Sequence, residues 1–177
     1  MIRFINLLTA IRILLAPFIL FFLIYGEYLV CTLLFFLAGI SDYFDGYLAR
    51  KYNAESQLGE ILDPIADKIL VVFILIGLSV NLHSYLMAVM SSLIISREIG
   101  VTALRDYAAR NNMSHKTKVT FLAKSKTALQ LSTIMLYLIA LSFNLNLLII
   151  IGDVSLIASA LITLYTGYEY ANNIFTK

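Results

Sequence analysis

The sequence predicts an all-α polytopic membrane protein with six transmembrane helices. Three observations carry this: a composition too apolar for water, six apolar runs of spanning length, and charges gathered on one side of those runs. Of 177 residues, 60% are hydrophobic and 14% charged, against about 25% charged in soluble domains. A spanning helix needs about 20 mostly apolar residues. This length therefore holds roughly six spans with short connections, read as one membrane-embedded domain over 1–177.

The runs fall at residues 5–24, 28–48, 61–80, 85–107, 124–143 and 146–168. The first leads straight into further runs, and no small-residue cleavage site follows it, so it reads as a retained helix rather than a signal peptide. The second holds the single Cys31, which has no partner for an intramolecular disulfide, and ends in Asp42 and Asp45. The third opens on Asp63 and Asp67; the fourth carries Arg97 and Arg105; the fifth begins at Lys124 and Lys126; the sixth is almost wholly apolar. Pro17 and Pro64 both lie inside spans, where each frees a backbone carbonyl that must find another partner.

Charge gives the sidedness. The links Tyr25–Glu27, Asn81–Ser84 and Asn144–Asn146 contain no Lys or Arg. Arg3, Arg50, Lys51, Arg110, Lys116, Lys118 and Lys177 collect on the other side. By the positive-inside rule both termini face the cytoplasm, which places the protein in the cell (cytoplasmic) membrane. Two longer polar connections, Lys51 to Glu60 and Ala109 to Leu122, lie on that side, and either could form a short interfacial helix.

The chemistry sits where the second span ends and the third begins. Asp42 and Asp45 are three residues apart and Asp63 and Asp67 four apart, so on helices each pair shares one face. Two helices joined by a short loop run antiparallel, which is expected to bring the faces together. A carboxylate at the centre of a bilayer costs at least ~2.5–3.5 kcal/mol, and four together need a cation. Hard oxygen ligands suit Mg²⁺ or Mn²⁺, and such sites take up substrate phosphates. Gly46 leaves the helix backbone open to a bulky group, and Arg50, one turn on, offers a fork for phosphate. A lone membrane aspartate could equally be a packing residue or a proton relay.

The pattern Asp42-x2-Asp45-Gly46-x2-Ala49-Arg50-x8-Gly59-x3-Asp63-x3-Asp67 resembles the complete signature of the CDP-alcohol phosphotransferase family. The resemblance implies that family's six-helix fold, a homodimer, two metal ions, a CDP-linked donor and CMP as leaving product. It also implies that Asp42, Asp45 and Asp63 are metal ligands, that Asp67 is the general base beside or within that set, and that Gly46, Ala49, Arg50 and Gly59 line the CDP site.

Other segments bear on the acceptor. Asn6-Leu7-Leu8-Thr9-x2-Arg12-x4-Pro17 and Asp63-Pro64-Ile65-Ala66-Asp67-Lys68 resemble the branch of that family that makes phosphatidylglycerophosphate and cardiolipin. Ser96-Arg97-Glu98-x6-Arg105 is similar to the members that use glycerol-3-phosphate. Ala123-Lys124-Ser125-Lys126-Thr127 matches their Gly-Lys-x-Lys-Thr except for Ala at its head. Arg97, deep in a span, needs an anion. Glu98, one residue on, points about 100° away and is not its obvious partner. Arg97 and Arg105 share a face, and with Lys124 and Lys126 they could hold an acceptor phosphate. The alternative for Arg97 is an ion-pair network with Glu98, Asp106 or Glu60.

The expected reaction is therefore CDP-diacylglycerol plus glycerol-3-phosphate giving phosphatidylglycerophosphate and CMP, at a cytoplasmic active site in the lipid bilayer, with no nucleic-acid partner. A CDP-dependent cardiolipin synthase would use phosphatidylglycerol, which has no phosphomonoester for Arg97 and Arg105. A divalent-cation transporter would have no need of Gly46, Ala49 and Arg50. His83 and His115 have no second His or Cys at ligand spacing and read as surface residues. Asp153 and Glu169 read as interfacial or dimer-contact residues.

Overall fold

A computed structural model of the chain describes residues 2–52, 57–111, 113 and 121–176, with side chains described for all of these except 2–6, 48–50, 57, 58, 60 and 121–124. Among the described residues there are six α-helices: α1 (Ile2–Ile24), α2 (Tyr28–Lys51), α3 (Gln57–Asn81), α4 (Tyr85–Arg110), α5 (Phe121–Phe143) and α6 (Asn146–Phe175). Five of them are long and apolar enough to cross a membrane; the other, α3, has 25 residues and carries Glu60, Asp63, Asp67 and Lys68 in its first half. The expected interfacial helices fall largely outside the described residues, and apart from Tyr52, Asn111 and Met113 what is described of those connections belongs to the ends of α2 to α5.

The three short links turn tightly, each through a residue with positive φ: Gly26 (79°), His83 (46°) and Asn144 (54°). Glycine and asparagine take this left-handed conformation at least cost, and histidine is enriched there among side-chain-bearing residues. Ser84 then caps α4 by accepting from the Met87 amide at 3.2 Å. Tyr28 donates to Asn81 Oδ1 at 2.6 Å, and Asn81 donates to the Leu23 carbonyl at 2.5 Å, tying the ends of α1, α2 and α3 together on this side.

The helices pack as a closed circuit in the order α1, α2, α5, α6, α4, α3 and back to α1, with α3 also touching α5 across it. This corrects one expectation. Among the described residues α2 and α3 meet at the Tyr28–Asn81 hydrogen bond and do not pack side by side, although they follow one another in sequence. Instead α1 lies between them, packed against both.

The polarity of the bundle is that of a protein solvated by lipid. Large apolar side chains such as Leu14, Phe18, Phe36, Leu147 and Val154 point outward, whereas Thr9, Arg12, Asp45, Arg97, Lys126 and Gln130 are buried. Lipid tails are as apolar as leucine, so helices associate through close packing and interhelical hydrogen bonds. Thr32 meets Ser142 at 2.9 Å between α2 and α5, and Thr133 meets Ser155 at 2.9 Å between α5 and α6. Asp153 accepts from the buried Tyr137 hydroxyl at 2.6 Å, since an α6 carboxylate in apolar surroundings is held best by a donor from its neighbour.

Gly152 makes that contact possible. A Cβ there would lie 3.0 Å from Cε1 and Cζ of the Tyr137 ring, which its bond to Asp153 keeps from retreating. Gly152→Ala is expected to lower stability by about 1–2 kcal/mol, the overpacking cost less the helix-propensity gain of alanine. Thermal unfolding in detergent micelles measures it.

Candidate active site

Each of the four signature aspartates is met by a side chain from α1. Arg12 Nη1 donates to Asp42 Oδ1 at 2.7 Å and to Asp67 Oδ1 at 2.8 Å, and its Nη2 donates to Asp45 Oδ2 at 2.9 Å. Thr9, one turn before Arg12, donates to Asp63 Oδ1 at 2.7 Å. Residues three apart lie on one helix face, so a single face of α1 gathers carboxylates from two helices that do not pack side by side. The aspartates do come together as expected; the agent is α1 rather than direct packing of α2 on α3.

The four differ in accessibility. Asp45 is 2% exposed and Arg12 1%, whereas about half of the Asp42 and Asp67 side chains stays open. Two atoms in the cluster, Asp45 Oδ1 and Arg12 Nε, are buried without a hydrogen-bond partner. A buried carboxylate oxygen with no donor is costly, and it is the kind of atom a hard cation satisfies. The all-oxygen donor set of Asp42, Asp45, Asp63 and Asp67 thus fits a divalent ion such as Mg²⁺ or Mn²⁺ in its chemistry. In this arrangement the guanidinium stands between the carboxylates, and among the described residues no three acidic, His or Cys side chains converge on one ion position.

Two cavities reach the cluster. One, of about 440 Å³, lies between α3, α4 and α5 and is lined by Asp67, Lys68, Arg97, Glu98, Arg105 and Lys126, among others. The second, of about 540 Å³, runs between α2, α3 and α5. Its walls are mostly apolar, including Phe35, Phe36, Leu70 and Met135, and it ends at Arg12, Asp42 and Asp67. Phe36, Tyr43 and Phe44 on its α2 side are exposed on the bundle surface. Asp67 belongs to both cavities.

The basic cavity has an internal frame. Arg97 Nη1 pairs with Glu98 Oε1 at 3.0 Å, and its Nη2 donates to Thr166 on α6 at 2.7 Å. Lys126 also binds Glu98 Oε1. The expectation that Glu98 points away from Arg97 is therefore overturned: the arginine stem is long enough to fold back to its neighbour, and the buried Lys126 fixes the carboxylate between them. Gly167 leaves room for this, since a Cβ there would lie 3.0 Å from Arg97 Cγ. Arg105 donates to the Tyr170 hydroxyl at 2.8 Å, with its guanidinium carbon 5.0 Å from that ring's centroid. Asp106 pairs with Arg110 on the surface at 2.9 Å rather than with Arg97.

Of the remaining expected residues, Gly46 is half-buried one position past Asp45, and Gly59 is buried in the first turn of α3. The side chains of Ala49, Arg50 and Lys124 lie outside the described residues. The sequence reading did not single out Arg12, Thr9 or Lys68 as site residues. Arg12 carried a usable signal, a guanidinium in the middle of an apolar run, which is expensive unless anions surround it. Lys68 hydrogen-bonds Thr102 on the wall of the basic cavity.

The family model described as CDP-alcohol phosphatidyltransferase matches residues 4–168. Proteins named CDP-diacylglycerol–glycerol-3-phosphate 3-phosphatidyltransferase are similar over most of this chain. The one from Blochmanniella floridana is 40% identical over 171 residues, covering 94% of this chain and 88% of its own length. That from Haemophilus influenzae is 36% identical, covering 92% and 88%. That from Rickettsia bellii is 41% identical over 140 residues, covering 78% and 75%. With the signature aspartates gathered at one site and the match spanning nearly the whole chain, this protein belongs to the CDP-alcohol phosphatidyltransferase family.

Proposed function

We propose that this protein transfers the phosphatidyl group of CDP-diacylglycerol to glycerol-3-phosphate, giving phosphatidylglycerophosphate and CMP in phospholipid synthesis. The observation that carries the reading is the position of Asp67, the carboxylate shared by a basic cavity and an apolar one. A lipid donor needs an apolar channel for its tails, a phosphorylated acceptor needs cations, and the transfer must occur where the two meet. The names of the relatives agree with it.

In this reading the donor's acyl tails lie along the apolar cavity, with Gly46, Ala49, Arg50 and Gly59 around the cytidine diphosphate as the family resemblance implies. Arg97, Arg105, Lys124 and Lys126, joined by Lys68, take the acceptor phosphate in the basic cavity. Asp67 accepts the proton of the acceptor hydroxyl as its oxygen bonds to the phosphorus bearing diacylglycerol. The bond from that phosphorus to the CMP oxygen breaks, and CMP leaves with the electron pair. The family depends on a divalent metal. Asp42, Asp45, Asp63 and Asp67 would hold it here as Mg²⁺ or Mn²⁺, two ions by the resemblance. When bound, such ions neutralise the charge that develops on the donor diphosphate.

The chain is a multi-pass membrane protein. The clustering of Lys and Arg on the side of the longer connections supports cytoplasmic termini and a cytoplasmic site in the cell membrane. The family resemblance supports a homodimer and a single domain over 1–177. A cardiolipin synthase is disfavoured because its phosphatidylglycerol acceptor leaves the cations of the basic cavity without a phosphomonoester. Purified protein given CDP-diacylglycerol with glycerol-3-phosphate, phosphatidylglycerol, serine or inositol phosphate tests this. Phosphatidylglycerophosphate and CMP are the expected products, formed with divalent ion and not in chelator. Cardiolipin from phosphatidylglycerol would overturn the acceptor, and no CMP with any alcohol would point to a transporter.

A further inference from the structure

Arg12 occupies the centre of the carboxylate cluster, and its contacts show how. It takes one oxygen from each of three carboxylates, Asp42 Oδ1, Asp45 Oδ2 and Asp67 Oδ1, using only its two terminal nitrogens. The cluster so formed is not fully satisfied, since Asp45 Oδ1 and Arg12 Nε are both buried without partners. Three carboxylates on one guanidinium, with Asp63 held beside them by Thr9, also leave a negative charge. Such a cluster is held together by Arg12 yet still attracts a second, stronger cation. That cation would need the oxygens Arg12 now holds, because the carboxylates do not converge on one ion position around it. Two cations drawing on the same oxygens would repel in a partly dry site.

We propose that Arg12 is an internal counter-ion: its guanidinium holds the aspartates of α2 and α3 together when no metal is bound, and it and a divalent cation exclude one another from the cluster. The inference rests on the assignment of the aspartates as metal ligands. It makes Arg12 a positioning residue with two opposed effects. It stabilises the metal-free protein by neutralising buried carboxylates, and it weakens metal binding in the absence of substrate, so that bare ions are not trapped before the donor arrives.

The test uses the full chain in detergent micelles with Mn²⁺ alone, free ion being read by electron paramagnetic resonance and stability by thermal unfolding in chelator. Arg12→Met is expected to bind Mn²⁺ at least ~10-fold more tightly than the unaltered protein. It should unfold at a lower temperature in chelator, with Mn²⁺ restoring most of the difference. Arg12→Lys keeps the charge but replaces the fork with a single ammonium, so it should give a smaller shift in the same direction. It serves as the test if the methionine variant does not accumulate folded. Unchanged or weaker Mn²⁺ binding in a folded variant overturns the proposal and makes Arg12 an orienting partner of the ligands, for which a loss is expected. If the unaltered protein and both variants all fail to bind Mn²⁺, the ligand assignment itself falls and takes this inference with it.

Discussion

Replacing Asp67 with Asn is expected to lower turnover by about 10²–10⁴-fold, the range of general-base catalysis, with a much smaller effect on binding of CDP-diacylglycerol. Asp67 is the carboxylate that faces both cavities, and half of its side chain is open even though Arg12 holds one of its oxygens. Asn keeps the shape and an acceptor oxygen for Arg12 but cannot take a proton. The effect then falls on the transition state rather than on the bound donor. Steady-state kinetics in mixed micelles, with each substrate varied, separates the two. A large loss of donor binding with turnover retained would make Asp67 purely a ligand to the ion and not a base. Asp45→Asn offers a contrast: Asp45 is buried and paired to Arg12, so its substitution should weaken metal binding and stability together.

Arg97→Ala is expected to reduce catalytic efficiency for glycerol-3-phosphate by about 10- to 100-fold, the worth of a charge-assisted hydrogen bond of about 1.5–3 kcal/mol. The loss should appear as a raised requirement for the acceptor with the donor unaffected. The structure sharpens this expectation. Arg97 Nη1 and Nη2 are engaged by Glu98 and Thr166, but the buried Nε has no partner and the side chain lines the basic cavity. Glu98 keeps Lys126 when Arg97 is removed, so the carboxylate is not stranded and the bundle should still fold. Lysine should rescue only partly, since it has no planar fork. If the alanine variant keeps its acceptor dependence and loses only thermal stability, Arg97 belongs to the frame of the cavity and the acceptor phosphate is held by other cations.

The sequence by itself determined the helices, because hydropathy is a property of a run of residues and not of its surroundings. The apolar runs end within one residue of the observed helices at every short link, from Ile24 and Tyr28 to Phe143 and Asn146. On the basic side the helices run three to seven residues beyond the apolar runs, to Lys51, Arg110 and Phe175. There the hydropathy signal stops at charged and polar residues while backbone hydrogen bonding continues regardless of them. The carboxylate spacing was equally local, since i, i+3 and i, i+4 pairs share a face on any helix.

Only the tertiary structure decided which helix meets which. Adjacency in sequence pointed to α2 on α3, and the bundle instead places α1 between them, with Arg12 and Thr9 reaching the four aspartates across separations of 30 to 55 residues. Which of Glu98, Asp106 and Glu60 pairs with Arg97 was likewise left open, because helix geometry gives the direction of a Cβ and not the path of a long, flexible side chain. Nor could the convergence of a basic and an apolar cavity on Asp67 be read from residue order, since their walls come from α3, α4 and α5 and from α2, α3 and α5. Local chemistry is written in spacing; the meeting of distant groups depends on how the helices pack.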